Sequence, residues 1–125
     1  MIRILLGMKF RIALTAKLLK AVTAITARLM TKEVSILLVT AKAEQIEEIE
    51  RKFPELKTTI PGIISIEWGT NNSPEGLNKG FTHCFVVTFE NDQARCAYLP
   101  HSNHQVFVNI LKPLLDDVFV IDFNL

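Results

Sequence analysis

Apolar and polar positions along residues 31–125 predict four strands and three helical stretches in turn. Val34 to Thr40 (VSILLVT) is a short β-rich run and predicts a buried strand. From Ala43 to Lys57 the period changes. Ile46, Ile49, Phe53 and Leu56 recur at helical spacing, opposite Glu44, Glu47, Glu48, Glu50, Arg51 and Lys52, so an amphipathic helix is expected. Pro54 is expected to kink that helix or restart it as a new turn. Pro61-Gly62 punctuates, and Ile63 to Trp68 (IISIEW) reads as the second strand. The stretch from Gly69 to Gly80 is polar and rich in glycine and asparagine, hence a loop. Phe81 to Glu90 then alternates, placing Phe81, His83, Phe85, Val87 and Phe89 on one strand face. Asn91 to Leu99 predicts a short helix capped by Asn91 or Asp92. His101 to Leu115 is a second helical stretch, with Val106, Phe107, Ile110, Leu111 and Leu114 as its apolar side. Asp116 to Phe123 (DDVFVIDF) is the last strand.

Strand, helix, strand, strand, helix, strand is the split βαβ order, so the fold class is α+β with a ferredoxin-like βαββαβ protomer. Helices cover one face of such a sheet, yet these strands are apolar on both faces. An uncovered apolar face of that size is an interface, and a twofold homodimer with its two sheets closed face to face as one barrel is the simplest way to bury it.

Charge divides the chain of 125 residues. Residues 1–30 hold Arg3, Lys9, Arg11, Lys17, Lys20 and Arg28 and no acid, while residues 31–125 hold eight basic and thirteen acidic residues. The formal net charge of +1 therefore averages a leader of +6 with a domain of −5. On a helix, Lys9, Lys17, Lys20 and Arg28 gather on one side, with Phe10, Leu14, Leu18, Val22, Ile25 and Leu29 largely away from it. Three readings of the leader stand: a targeting or interfacial helix, an extra structural helix, or translated upstream sequence with Met30 as the functional start. An acidic domain with no aromatic-basic module argues against nucleic acid as a partner, and no segment reaches the roughly 20 uncharged apolar residues that span a bilayer. Cys84 and Cys96 form no Cys-x-x-Cys pattern, and Cys96 is expected at a buried helix position. Free thiols fit a reducing compartment, which favours the cytoplasm for the domain, or an organelle or export if the leader is a presequence. No phosphate-binding glycine loop and no Ser/His/Asp hydrolase signature is present, so no cofactor is expected.

The residues that carry chemistry are few. His83 lies between Phe81 and Phe85, where it is either a satisfied core histidine or a ligand-facing one. His101 and His104 stand three apart and could share a metal, but with no definite third ligand no metal site is expected; capping is the competing role. Trp68 is expected to fill core.

Taken together, Ile60-Pro61-Gly62-Ile63, Glu67-Trp68-Gly69, Ser73-Pro74-Glu75-Gly76-Leu77, Gly80-Phe81-Thr82-His83, Tyr98-Leu99-Pro100-His101, His104, Phe107-Val108 and Pro113 to Val118 ending in Asp122-Phe123 resemble the stress-responsive dimeric α/β-barrel family over residues 32–124. The resemblance implies a homodimer of ferredoxin-like protomers, the chain's partner being itself. A cleft between sheet and helices would take a small apolar molecule, with Ser35, Phe81, His83, Phe85 and Phe107 at it. Polyketide cyclases within the family imply more: His104 as general base and Tyr98 as its orienting or anion-stabilising partner. A histidine can take a proton α to a carbonyl, and a phenol can donate to the growing enolate. Such enzymes carry a further histidine on the first strand, where this chain has Ser35, and their His-Pro-x-His reads His101-Ser102-Asn103-His104 here. Three functions are therefore carried forward: a small-ligand-binding stress protein, a cyclase- or lyase-like enzyme using His104, and a purely structural dimeric stress protein.

Overall fold

The computed structural model describes residues 16–23 and 31–125. The chain divides into two units at Met30, and the first is described over the exposed helix α1 (residues 16–23) alone. Lys9, Phe10, Leu14, Ile25, Arg28, Leu29 and Met30, on which much of the leader reading rests, lie outside the described residues.

The second unit has the ferredoxin-like α+β architecture. Its elements are β1 (Glu33–Ala41), α2 (Ala43–Thr59), β2 (Ile63–Thr70), β3 (His83–Phe89), α3 (Asp92–Tyr98), α4 (Ser102–Leu111), a 3-10 turn (Lys112–Leu114) and β4 (Leu115–Asn124). The strands form one antiparallel sheet in the order β2-β3-β1-β4. β1 pairs Leu37 with Phe85 on one side and with Val120 on the other, which fixes the two faces of the sheet. Because side chains alternate along a strand, Ser35, Leu37, Val39, Phe85, Val87, Phe89, Val118, Val120 and Asp122 share the helix-side face. Val34, Ile36, Leu38, Cys84, Val86, Phe119, Ile121 and Phe123 share the reverse face.

The core sits between the sheet and α2 and α4. Ile46, Ile49, Phe53 and Leu56, the apolar stripe expected of α2, are all buried. Phe53 stacks on Phe85 at 4.9 Å and meets the edge of Phe107 at 4.8 Å, tying α2, β3 and α4 together. Phe89 meets Tyr98 at 5.0 Å and joins β3 to α3. Asn91 caps α3, its Oδ1 accepting the Ala94 N–H at 2.8 Å.

Several expectations are corrected. α2 runs unbroken through Pro54 to Thr59 and does not restart there. The second helical stretch ends at Leu111, because Pro113 has no N–H to continue an α-helical ladder, and β4 begins at Leu115. Val106 is exposed although it was assigned to the apolar side; Phe107 and Leu111 carry the burial of α4. Phe81 leaves the alternation of β3. Its N–H donates to the Asn78 carbonyl in a turn through Lys79 and Gly80, both at positive φ, and its ring packs on Phe119 of the reverse face. Trp68 is 42% exposed on the edge strand β2, resting against His83 and Phe85 instead of filling core. Cys96 is exposed, since it lies about 200° around α3 from both Ala94 and Tyr98, which face inward.

Candidate functional site

A cavity of about 260 Å³ opens between the helix-side face of the sheet and α3 and α4. Most of its wall is apolar: Leu37, Phe53, Phe107, Val108, Leu111, Leu115, Val118 and Val120. Ser35, Tyr98, His104, Lys112 and Asp122 supply the polar groups. The layout has a local cause. On α4, His104, Phe107, Val108 and Leu111 follow i, i+3, i+4, i+7 and so share one face. On the sheet, Ser35 and Asp122 are register partners, so their side chains project together from β1 and β4.

The polar end is cross-linked. Ser35 Oγ–H donates to Asp122 Oδ1, and Arg95 Nη1 donates to Asp122 Oδ2 at 2.9 Å. Arg95 Nε lies 3.7 Å from Glu33 Oε2, too far for a hydrogen bond, and is buried with no hydrogen-bond partner. Tyr98 lies one turn on from Arg95 in α3. Burial, and then the negative charge of Asp122, push the Tyr98 phenol well above its ordinary pKa of 10.0. Tyr98 therefore stays a protonated donor across the physiological range.

His104 stands against Tyr98, with ring centroids 4.0 Å apart. Its Nδ1 is 2.9 Å from the Leu99 carbonyl, which also accepts from Gln105 Nε2 at 2.7 Å. A carbonyl oxygen only accepts, so Nδ1 carries a proton. In the neutral ring the lone pair then lies on Nε2, the tautomer a general base needs.

Of the residues the sequence singled out, Ser35, Tyr98, His104 and Phe107 come together at this cavity, while His83, Phe81 and Phe85 do not line it. His83 is held between Glu50 Oε1 and Thr82 Oγ1, each at 2.9 Å, and ties β3 to α2. Phe85 lies fully buried beneath Phe53, and Phe81 lies on the reverse face. His101 caps α4, its Nδ1 accepting the Asn103 N–H at 3.1 Å. Among the described residues, no three His, Cys, Asp or Glu side chains group as metal ligands. Asp122 is the residue that sequence reasoning missed. Its signal was present: a carboxylate in an otherwise apolar strand run, in phase with Val118 and Val120. A second, more open depression of about 230 Å³ lies between α2 and α4, beside Lys52, Thr59, Asn103 and Val106. Its polar groups, Lys52, Glu55, Thr59 and Asn103, lie at an open surface, whereas the first cavity is the more enclosed and the more apolar of the two.

Comparison with known proteins identifies the setting. The profile described as the Stress responsive A/B Barrel Domain matches residues 37–125. A stress-response A/B barrel domain-containing protein of Arabidopsis thaliana is 38% identical over 81 residues, spanning 65% of this chain and 74% of its own. Olivetolic acid cyclase of Cannabis sativa is 25% identical over 80 residues, spanning 64% of this chain and 79% of its own. A Jannaschia protein described as a dimeric ferredoxin-like protein of unknown function superposes with a TM-score of 0.65 at 20% identity, over 75% of this chain and 99% of its own.

Proposed function

The chain belongs to the stress-responsive A/B barrel domain family, and from that premise we propose that it is a homodimer whose protomers each bind a small apolar molecule. One observation carries the reading: a largely apolar cavity in which Ser35, Tyr98, His104 and Asp122 converge. Binding sites for small molecules have this composition, apolar walls with a few placed polar groups. Phe107, Leu111, Val118 and Val120 exclude water from the body of the ligand. Tyr98 donates to an acceptor on it, and Asp122 or His104 Nε2 accepts from a hydroxyl. The homodimer is supported by the apolar reverse face, where Phe119, Ile121 and Phe123 are exposed, and by the dimeric description of the Jannaschia structure. Native mass spectrometry of the full chain tests the reading: a dimer retaining up to two small neutral molecules is expected. A monomer, or a dimer that binds none from a library of uncharged aromatic compounds, contradicts it and favours the purely structural role.

A second reading is favoured by the His104 geometry and by the cyclase relative. The tautomer fixed by the Leu99 carbonyl leaves Nε2 to take a proton α to a carbonyl, and the Tyr98 phenol beside it can donate to the enolate that forms. Here His104 and Tyr98 are the catalytic pair. Deuterium exchange at the carbon between the carbonyls of a simple 1,3-diketone checks this without knowledge of the substrate. Wild type accelerates the exchange, and His104→Ala loses roughly 100-fold or more of that acceleration while remaining folded. An unchanged rate in His104→Ala removes the enzyme reading and leaves the binding one standing.

A further inference from the structure

The cavity is left open along the edge of its own sheet. Leu115, Val118, Val120 and Asp122 all line it from β4, which pairs with β1 alone among the described strands. By register Val118 and Val120 point toward the helix layer, where a cavity wall would ordinarily be covered. They are nevertheless 42% and 54% exposed, and Leu99 at the opposite rim is 49% exposed. On the other face of the same strand Phe119, Ile121 and Phe123 are also exposed. β4 is thus about half exposed on both faces and, among the described strands, unpaired along its outer edge, a combination that invites pairing with another strand.

We propose that a second copy of the chain runs past the outer edge of β4 and completes the cavity wall, so that ligand binding and dimerisation are linked. The inference rests on the cavity and dimer reading above and adds the coupling between them. A partner resting on the reverse face alone would cover Phe119, Ile121 and Phe123 and leave Val118 and Val120 bare. A partner whose own free edge lies alongside β4 satisfies the unpaired backbone groups of β4 and shields both valines at once. The chain supplies such an edge itself, since β2 and β4 are both terminal strands of the sheet. Because binding free energies are reciprocal, a ligand that prefers the closed cavity tightens the dimer by the factor by which dimerisation tightens the ligand, once for each of the two sites.

The test uses the full chain and N-phenyl-1-naphthylamine, an uncharged probe that fluoresces in apolar sites. His104→Trp, which fills the cavity, identifies the signal that belongs there. Ile121→Lys, on the reverse face and outside the cavity lining, separates the protomers. The expected result is binding at least tenfold weaker in Ile121→Lys than in wild type, and a wild-type dimer dissociation constant that falls by the square of that factor at saturating probe, since both sites of the dimer are filled. Should Ile121→Lys not fold, dilution of wild type through its dimer dissociation range gives the same comparison, with probe affinity falling on dilution. Probe affinity independent of assembly state overturns the coupling and leaves the binding reading intact. Absence of any signal sensitive to His104→Trp overturns both.

Discussion

Tyr98 is the single tyrosine of the chain, and this makes its environment directly measurable. Burial and the Asp122 charge raise its pKa in the folded state. In the unfolded chain it titrates near the ordinary value of about 10. Above that pH the unfolded state loses a proton that the folded state keeps, so stability falls as pH rises beyond about 10. The absorbance of tyrosinate near 295 nm is therefore expected to appear together with loss of circular dichroism, in one step. A phenolate forming near pH 10 in protein that is still folded would contradict the placement of Tyr98. At this scale the sequence was partly legible. The helical period put Phe107 and Leu111 on an apolar side and the family resemblance singled out His104, and all three line the cavity. His83 was equally conspicuous, but alternation says only which face of a strand a residue occupies. It does not say which helix residue stands opposite, and Glu50 on α2 claims His83 for a hydrogen bond away from the cavity. Asp122 went unassigned for the same reason, since its partners Ser35 and Arg95 come from distant parts of the chain.

At the scale of elements, the approach of α3 to the turn before β2 depends on one glycine. Gly62 has φ of 90°, and a Cβ there would lie 2.6 Å from Ala94 Cβ. Gly62→Ala adds a left-handed backbone penalty to a clash with α3, and a loss of about 1–3 kcal/mol is expected in urea or thermal unfolding. Because Tyr98 and Arg95 ride on α3, probe binding in the cavity should weaken as well. An unfolding midpoint equal to that of wild type would show that α3 is free to move away. The order of elements and the buried stripe of α2 were legible because each rests on a period in the sequence. The ends were less so. Pro54 sits inside a helix that tertiary packing holds together, with Ile49, Phe53 and Leu56 buried on both sides of it. Phe81 extends an alternating run on paper, but the turn at Lys79 and Gly80 decides where pairing begins.

For the whole molecule, the formal charge of +1 describes no functional surface, because residues 31–125 alone carry −5. The apolar reverse face was legible from strands that are hydrophobic at odd and even positions alike. A second copy was the expected cover, but how it sits was not legible, because the sequence of one chain shows that a surface needs cover without showing the geometry of the cover. The proposed occupant of the cavity beside Tyr98 and His104 is a small apolar molecule. Thermal unfolding of the full chain against a panel of uncharged phenols and aromatic ketones tests it most directly, with His104→Trp run in parallel. A ligand at ten times its dissociation constant stabilises by about 1.4 kcal/mol. That corresponds to a rise in Tm of roughly 5 °C for a domain of this size. Such a rise is expected for at least one compound in wild type, and its loss in His104→Trp. No shift with any compound, or an equal shift in the cavity-filled variant, would contradict it.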